Sequence, residues 1–264
     1  MFEFILPVME EASRLMLSAH DVEAAVTVKP GDANFVTAYD LAVEDFLYRE
    51  LGKRLPEAVF IGEEAAENHT ELLASSLAFI IDPIDGTTNF IHDYRYSSIS
   101  VGVADRGKMV FGAVLNPYDG RLFHAEAGRG AFVKDVRTGV DAPVHVSARP
   151  LRDALAGFGT SPYYRDELAE PTFRAAASLF RLTRDVRRCG SAALDLCMVA
   201  AGTLDVFFEY RLSPWDVAAG SLIVTEAGGV ITRMDGSPVT FERWGSILAG
   251  NPGTHRAVTD SGIL

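Results

Sequence analysis

The sequence predicts an α+β fold, and three observations lead to that prediction. The chain has 264 residues, of which 48% are hydrophobic and 23% charged, a composition typical of a globular protein with one large domain or two packed halves. Short strand patterns at hairpin spacing dominate residues 1–147. From residue 148 onwards, strand and helix patterns alternate. We therefore expect an α+β half over residues 1–147, an α/β half over residues 148–264, and a cleft between them.

The N-terminal half is predicted to begin with two helices and to continue as strands. Apolar residues recur at helical spacing over residues 1–20, and acidic residues interrupt the segment, which favours an amphipathic helix over a signal peptide. A second helical pattern opens at Thr37 and runs to about Leu51. Strands are predicted at residues 58–61, 76–81, 97–104, 109–116, 122–125, 131–133 and 144–146.

The C-terminal half is predicted to contain fewer strands and more helices. Strand patterns occupy residues 155–158 and 183–187. Helical patterns occupy residues 190–201, 214–227 and the segment after Pro252. Ser213 suits the N-cap of the second of these helices, and Pro214 suits its first helical position.

Charge and composition argue against several classes of partner. The formal net charge is -12, whereas nucleic-acid binding needs a basic surface, so no nucleic-acid partner is expected. No stretch of 18 uninterrupted apolar residues occurs, so no membrane partner is expected either. Cys189 and Cys197 form neither a zinc motif nor a disulfide framework, and the default expectation is a cytoplasmic protein. An anionic substrate would need metal cations to approach so acidic a chain.

The segment Ala78–Phe90, AFIIDPIDGTTNF, carries the strongest chemical signal. Its apolar strand ends on Asp82 and Asp85, and burying unpaired carboxylates is costly, so a cation is expected beside them. Gly86-Thr87-Thr88 then begins a helix, whose free backbone N–H groups suit a phosphate. Hard oxygen ligands favour Mg²⁺, which predicts a metal–phosphate site. The alternative is structural, with Asp85 capping the helix and Asp82 stabilising the turn.

Three further carboxylates are ambiguous when each is taken alone. Glu63 follows a predicted strand, where surface glutamates are common. Asp40 and Asp216 each lie three residues after a predicted N-cap, Thr37 and Ser213, and could simply complete capping boxes.

Taken together and in order, the motifs resemble those of the inositol monophosphatase family. The matching segments are Gly62–Glu64, Asp82–Phe90, Trp215–Gly220 and Glu226–Gly229, and the resemblance extends from Lys29 and Asp40 to Asn251. It implies a layered α-β-α-β-α sandwich and a magnesium-dependent, lithium-sensitive phosphomonoesterase, usually a homodimer. It also implies that the N-terminal half carries most of the metal ligands and the C-terminal half the substrate contacts.

The resemblance assigns roles to residues one by one. Two or three Mg²⁺ ions would be held by Glu63, Asp82, Asp85, Asp216 and the backbone carbonyl of Ile84. The catalytic set would be Thr87 and Asp40, which orient the attacking water, together with Glu63 and Asp85. The substrate contacts would be Gly86, Thr87, Gly190, Ser191, Ala192, Glu209, Arg211 and Asp216.

Two of these positions bear on the substrate. A carboxylate at Glu209 would select a ring rich in hydroxyl donors, although it could instead be an exposed strand end. Arg211 departs from the family pattern, because a small residue is common there in inositol-specific members. It is either a solvated surface residue or a clamp for a second phosphate or carboxylate.

The small-molecule phosphate ester expected from this resemblance is myo-inositol 1-phosphate. The alternatives are fructose 1,6-bisphosphate, histidinol phosphate and 3′-phosphoadenosine 5′-phosphate. A different class of alternative is an interaction protein that has kept the fold but has no catalytic activity.

Overall fold

Two β-sheets organise the chain in the computed structural model, which describes residues 2–20, 22, 26–28, 35–65, 70–241 and 243–264. The first part of the described chain contains α1 (Ile5–Leu17), β1 (Val26–Val28), β2 (Phe35–Thr37), α2 (Ala38–Gly52), β3 (Val59–Gly62), β4 (Leu77–Asp85), α3 (Thr87–Ile91), β5 (Ser98–Asp105), β6 (Lys108–Asn116), β7 (Arg121–Glu126), β8 (Ala131–Asp135) and β9 (Asp141–Val144). The second part contains β10 (Leu155–Phe158), α4 (Arg165–Leu182), β11 (Asp185–Arg187), α5 (Ala192–Ala200), β12 (Val206–Leu212), α6 (Pro214–Glu226), β13 (Val230–Thr232), β14 (Gly245–Gly250) and α7 (Pro252–Ser261).

The larger sheet has seven strands in the order β3-β4-β5-β6-β7-β8-β9. Its first pair, β3 and β4, is parallel, and the remaining pairs are antiparallel. The smaller sheet has five strands in the order β11-β10-β12-β14-β13, with β11, β10 and β12 parallel to one another. Strands β1 and β2 form a separate antiparallel pair.

Helices cover both faces of both sheets, which produces five layers. Helices α1 and α2 pack on the outer face of the larger sheet through residues such as Met9, Leu47 and Phe79. Helices α5 and α6 lie between the sheets, and every residue of α5 is buried, as expected for an apolar helix enclosed on all sides. Helices α4 and α7 cover the outer face of the smaller sheet, where Leu179 and Val258 pack against β12 and β14. In the described part of the chain, no helix is both long and apolar enough to cross a membrane.

Most predicted elements are observed, but strands β1, β2, β12, β13 and β14 were not predicted, and three further corrections apply. The strand predicted at 144–146 is misplaced, because β9 spans Asp141–Val144. The strand predicted to end at Ile81 continues as β4 to Asp85, with a break in its pairing to β5 between Asp82 and Asp85. Helix α4 was not predicted: Pro171 lies inside it, and its exposed Phe173 obscures the amphipathic pattern.

The change of sheet occurs close to the predicted boundary at residues 147 and 148. Strand β9 ends at Val144 and β10 begins at Leu155. The division of the chain into two domains at that point stays a prediction. Lys29, the first residue of the family resemblance, lies outside the described residues.

Candidate active site

Twelve of the thirteen predicted site residues line one cleft of about 290 Å³ between the two sheets. They are Glu63, Asp82, Ile84, Asp85, Gly86, Thr87, Gly190, Ser191, Ala192, Glu209, Arg211 and Asp216. The thirteenth, Asp40, lies immediately behind Thr87. The structure therefore brings together in space residues that are far apart in the sequence, and their individual roles remain predictions.

The end of β4 places two carboxylates in the cleft. Asp82 and Asp85 are buried, with 1% and 6% of their surface exposed. An Asp82 carboxylate oxygen accepts the backbone N–H of Ile84 at 3.0 Å, which stabilises the turn around Pro83. The turn role that the sequence suggested for Asp82 is thus compatible with a second role in the cleft.

Asp82, Asp85 and Asp216 form a cluster in which one oxygen of each lies within 4.8 Å of the others. No arginine or lysine in the described part of the chain forms an ion pair with any of the three. Burial raises the pKa of Asp82 well above its ordinary value, and the charges of Glu63, Asp85 and Asp216 raise it further. Burial likewise raises the pKa of Asp216, with a contribution from Asp85. Oxygen ligands packed this closely suit a hard divalent cation such as Mg²⁺.

Glu63 reaches the same cluster from the neighbouring strand. Strands β3 and β4 are parallel, and the backbone N–H of Glu63 donates to the carbonyl of Ile81 at 3.3 Å. The loop is also held by Glu44, whose carboxylate accepts the backbone N–H of Glu64 at 3.1 Å. Glu44 was not predicted from the sequence, although it lies one helical turn after Asp40 on α2 and is also buried.

Thr87 and Asp40 are in contact behind the cleft. The Thr87 hydroxyl lies 3.4 Å from an Asp40 carboxylate oxygen and 3.2 Å from the carbonyl of Ile84. The other Asp40 oxygen accepts the backbone N–H of Thr37 at 2.8 Å, which completes the capping box of α2. Burial raises the pKa of Asp40 to about 6, while the hydrogen bonds from Thr37 oppose that rise.

Asp85 joins the two halves of the chain. Its carboxylate accepts a short hydrogen bond from the Ser191 hydroxyl and another from the backbone N–H of Ala193 at 2.8 Å. These donors belong to the N-terminal end of α5. Burial raises the pKa of Asp85, but these hydrogen bonds oppose the rise, because they favour the charged form.

Glu209 is a buried residue of β12, so the alternative of an exposed strand end is wrong. Its carboxylate accepts the backbone N–H of Ser161 at 2.7 Å and lies 3.2 Å from the Ser161 hydroxyl. Burial raises its pKa from 4.5 to about 7, against the effect of those hydrogen bonds. Gly159 permits this packing, since a Cβ there would lie 1.8 Å from the carboxylate.

Arg211 lies between two aromatic rings and is not a solvated surface residue. The centre of its guanidinium group is 3.6 Å from the ring centroid of Tyr164 and 3.6 Å from that of Trp244. Only 20% of its side-chain surface is exposed, and its nearest carboxylate is that of Glu167, at 3.8 Å. Such stacking of arginine on aromatic faces restrains the side chain.

Several residues of the cleft were not predicted from the sequence. Asp195 is buried and accepts the Tyr96 hydroxyl at 2.9 Å, and burial raises its pKa to about 7. Tyr163 lines the cleft with 44% of its surface exposed, and partial burial together with the charges of Glu63 and Asp216 raises its pKa. Arg188 also lines the cleft, and it donates a hydrogen bond to the Thr160 hydroxyl at 2.9 Å. None of the three occurs in a motif with a recognisable spacing.

Comparison with known proteins finds similarity along almost the whole chain. The sequence pattern described as the inositol monophosphatase family matches residues 3–261 of the chain. The chain is 32% identical over 249 residues to the inositol-1-monophosphatase of Bacillus subtilis strain 168, covering 94% of this chain and 91% of that protein. It is 35% identical over 249 residues to the Nus factor SuhB of Escherichia coli K12, covering 94% and 90%.

A solved structure shows the same architecture. The crystal structure of the extragenic suppressor protein SuhB from Bartonella henselae matches with a TM-score of 0.86 at 33% sequence identity, covering 97% of this chain and 95% of that chain. The layered α+β fold expected from the sequence is therefore confirmed.

Proposed function

Because the chain belongs to the inositol monophosphatase family of phosphatases, as its motifs predicted, we propose that it is a Mg²⁺-dependent phosphomonoesterase of small polyol phosphates. Its first candidate substrate is myo-inositol 1-phosphate. The observation that carries the proposal is the cluster of Asp82, Asp85 and Asp216, whose oxygens converge within 4.8 Å. Carboxylates buried so close together repel one another unless a cation lies among them.

The proposed metal ligands are Glu63, Asp82, Asp85 and Asp216, with the backbone carbonyl of Ile84. All five line the cleft. When bound, Mg²⁺ supplies positive charge to the phosphate and its leaving oxygen and lowers the pKa of a water molecule. In phosphoryl transfer, positioning and charge neutralisation account for most of the catalysis, so the chain itself needs few covalent roles.

Thr87 is proposed to orient the attacking water. Its hydroxyl can donate to Asp40, 3.4 Å away, and at the same time accept a hydrogen bond from water. Two hydrogen bonds from Thr37 hold Asp40 in place as an acceptor for this hydroxyl, and the carbonyl of Ile84, 3.2 Å away, is the competing acceptor. The backbone N–H groups of Gly86 and Thr87 are proposed to bind the phosphate.

The remaining cleft residues are proposed to bind the alcohol portion of the substrate. Glu209 would accept hydrogen bonds from polyol hydroxyls, with its orientation set by Ser161. Gly190, Ser191 and Ala192 would form the facing wall, and Asp216 would contact both metal and substrate. A homodimeric state, a cytoplasmic location and sensitivity to lithium complete the proposal.

Phosphate release tests this function directly. Inositol 1-phosphate, fructose 1,6-bisphosphate, histidinol phosphate and 3′-phosphoadenosine 5′-phosphate are each incubated with the protein and Mg²⁺, with and without EDTA. We expect release from inositol 1-phosphate that EDTA abolishes. Preference for another of the four would retain the phosphatase and change its substrate, whereas no release from any would contradict the proposal.

The variant Asp82→Asn separates catalysis from an interaction role. Asparagine keeps the oxygen that accepts the Ile84 N–H, so the turn is preserved while the negative charge is lost. A phosphatase should lose most of its activity in this variant. A protein that acts only by binding a partner should bind that partner equally well with aspartate or asparagine at position 82.

A further inference from the structure

The cleft contains two cationic side chains among its described lining residues, Arg188 and Arg211. Both belong to the C-terminal half of the chain, which also contributes Glu209 and Asp216 to the cleft. Arg188 is exposed and Arg211 is largely enclosed, and because both line the cleft, both can present positive charge to a bound ligand.

Arg211 is enclosed between two aromatic rings and has one buried donor without a partner among the described residues. Tyr164 and Trp244 each cover one face of the guanidinium group at 3.6 Å, so only its edge remains for polar contacts. Along that edge, Nε is buried and has no hydrogen-bond partner among the described residues. The carboxylate of Glu167 is 3.8 Å from Nη1 and 72% exposed, which makes it a weak partner. A buried donor without a partner is unfavourable unless a ligand satisfies it.

The backbone around Arg211 is also fixed. The Ser161 hydroxyl donates to the carbonyl of Arg211 at 2.9 Å, and the backbone N–H of Arg211 lies 3.2 Å from that hydroxyl. Ser161 itself has φ +42°, a left-handed conformation that is uncommon for a residue other than glycine. These contacts join the turn that carries Tyr164 to the strand that carries both Glu209 and Arg211. The stack is thus part of the same wall as the proposed polyol contact.

Arg188 adds a second cation to this wall. Its Nη2 donates to the Thr160 hydroxyl at 2.9 Å, and its Nη1 lies 2.5 Å from the position that a Cβ on Gly190 would occupy. Its positive charge also lowers the pKa of Glu209, which places it within electrostatic range of that carboxylate. Two arginine side chains with planar donor edges suit a phosphate or carboxylate better than they suit a neutral hydroxyl.

We infer that Arg211, with Arg188, forms a second anion site, so that preferred substrates carry another phosphate or carboxylate besides the phosphate that is cleaved. The inference rests on the proposed function and narrows its substrate class from polyol monophosphates to phosphate esters with a second anionic group. The alcohol portion of a neutral polyol monophosphate would contact Glu209 and the wall formed by residues 190–192, and would leave the Arg211 edge unpaired.

Two matched pairs of substrates test the inference. Fructose 1,6-bisphosphate and fructose 1-phosphate differ by a phosphate, and 3-phosphoglycerate and glycerol 3-phosphate differ by a carboxylate. For each pair, kcat/KM with Mg²⁺ is measured in the wild-type protein and in Arg211→Met. We expect the wild type to prefer the doubly anionic member of at least one pair by roughly 10- to 100-fold, and Arg211→Met to remove that preference. A preference within the fructose pair identifies the second group as a phosphate, and a preference within the glycerol pair identifies it as a carboxylate.

A control variant, a conservative variant and a measurement of equilibrium binding accompany this test. Arg174→Met removes an exposed arginine of α4, paired with Glu170, and should leave the preference unchanged. Arg211→Lys keeps the charge but not the planar edge, and serves if Arg211→Met does not fold. Calorimetric titration with the same four compounds in EDTA measures binding without hydrolysis. Equal affinities within both pairs, or a preference that survives in Arg211→Met and Arg211→Lys, would overturn the inference. Absence of hydrolysis together with an Arg211-dependent difference in binding would contradict the proposed function alone.

Discussion

Thr87 is the residue whose single hydroxyl group has the most specific proposed task. It can donate to Asp40 at 3.4 Å or to the carbonyl of Ile84 at 3.2 Å, and it retains lone pairs for a water molecule. Asp40 is buried behind it, so its proposed effect on the reaction would be exerted through Thr87.

Replacing Thr87 by alanine should lower kcat roughly 100-fold or more with a smaller effect on KM, because the orienting hydroxyl is lost. Thr87→Ser retains the hydroxyl and should keep most of the activity. Steady-state hydrolysis of inositol 1-phosphate by the two variants provides the comparison. Equal losses in the serine and alanine variants would indicate that the methyl group, and hence packing, is what matters.

Glu209 combines a proposed role in substrate binding with a cost in folding stability. Its pKa is raised from 4.5 to about 7 in the folded protein, so the folded state holds the proton more tightly than the unfolded state. The corresponding stability is fully present below about pH 4.5 and is lost as the pH rises through about 7. Glu209→Gln removes this titration while preserving an oxygen that can accept the Ser161 N–H.

At pH 8 in EDTA, Glu209→Gln should therefore be more stable than the wild type by about 1 to 3 kcal/mol, with the difference vanishing near pH 4.5. Its kcat/KM for a polyol phosphate should fall, because the charged acceptor is gone. Denaturant unfolding at several pH values measures the first effect. A variant that is less stable than the wild type at pH 8 would show that the carboxylate is already stabilised in the folded state.

The residues of the site differ in how far the sequence could predict their positions. The segment from Asp82 to Thr87 is local, so strand, turn and helix start could be predicted from consecutive residues. Asp40 and Asp216 fit capping boxes, and the structure shows that each also lies at or beside the cleft. The ring contacts of Arg211 could not be predicted, because Tyr164 and Trp244 come from separate loops that only the tertiary fold brings together.

Among the secondary-structure elements, α6 is the one whose placement the site depends on most. It carries Asp216 in its first turn and lies directly on β5 and β6. That close approach requires glycine: a Cβ on Gly112 would lie 2.6 Å from the carbonyl oxygen of Ala219, and a Cβ on Gly102 would lie 3.0 Å from the Ala218 side chain. The backbone of α6 would have to move away from the sheet to accommodate either change.

Gly112→Ala should accordingly reduce the free energy of unfolding by about 1 to 3 kcal/mol and weaken Mg²⁺ binding, since Asp216 moves with the helix. Gly52→Ala is the matched control, because a Cβ there would meet only the Phe60 ring at 3.8 Å. That control should be neutral or slightly stabilising. Unfolding curves with and without Mg²⁺ distinguish the two variants, and an unchanged Mg²⁺ effect in Gly112→Ala would mean that α6 tolerates displacement.

The hairpin of β5 and β6 could be predicted from the sequence, whereas helix α4 and strands β12 and β14 of the smaller sheet were not predicted. The turn residues between β5 and β6 set the pairing of these strands locally, with one irregularity between Val103 and Ala104. Helix α4 combines an internal proline with exposed Phe173 and Phe180, so neither its boundaries nor its buried face stands out in the sequence. Its buried residues include Ala175 and Leu179, which are buried because they pack against the outer face of the smaller sheet.

In the whole molecule, the acidic cluster is the point where the two halves meet. Asp82 and Asp85 come from the larger sheet, whereas Asp216 comes from a helix between the sheets. Asp85 also accepts hydrogen bonds from the start of α5. A cation bound there would draw together elements from both halves, and binding to the folded state alone would stabilise the whole protein.

The measurement that tests this account most directly is calorimetric titration of the metal-free protein with Mg²⁺, in the wild type and in Asp82→Asn. We expect the wild type to bind two or three ions with a matching rise in thermal stability. In Asp82→Asn the tightest binding should be lost, and its stability in EDTA should be at or above that of the wild type, because one buried negative charge is gone. Binding that is absent in the wild type, or equally tight in both proteins, would contradict the claim that this carboxylate cluster is the metal centre of a phosphatase.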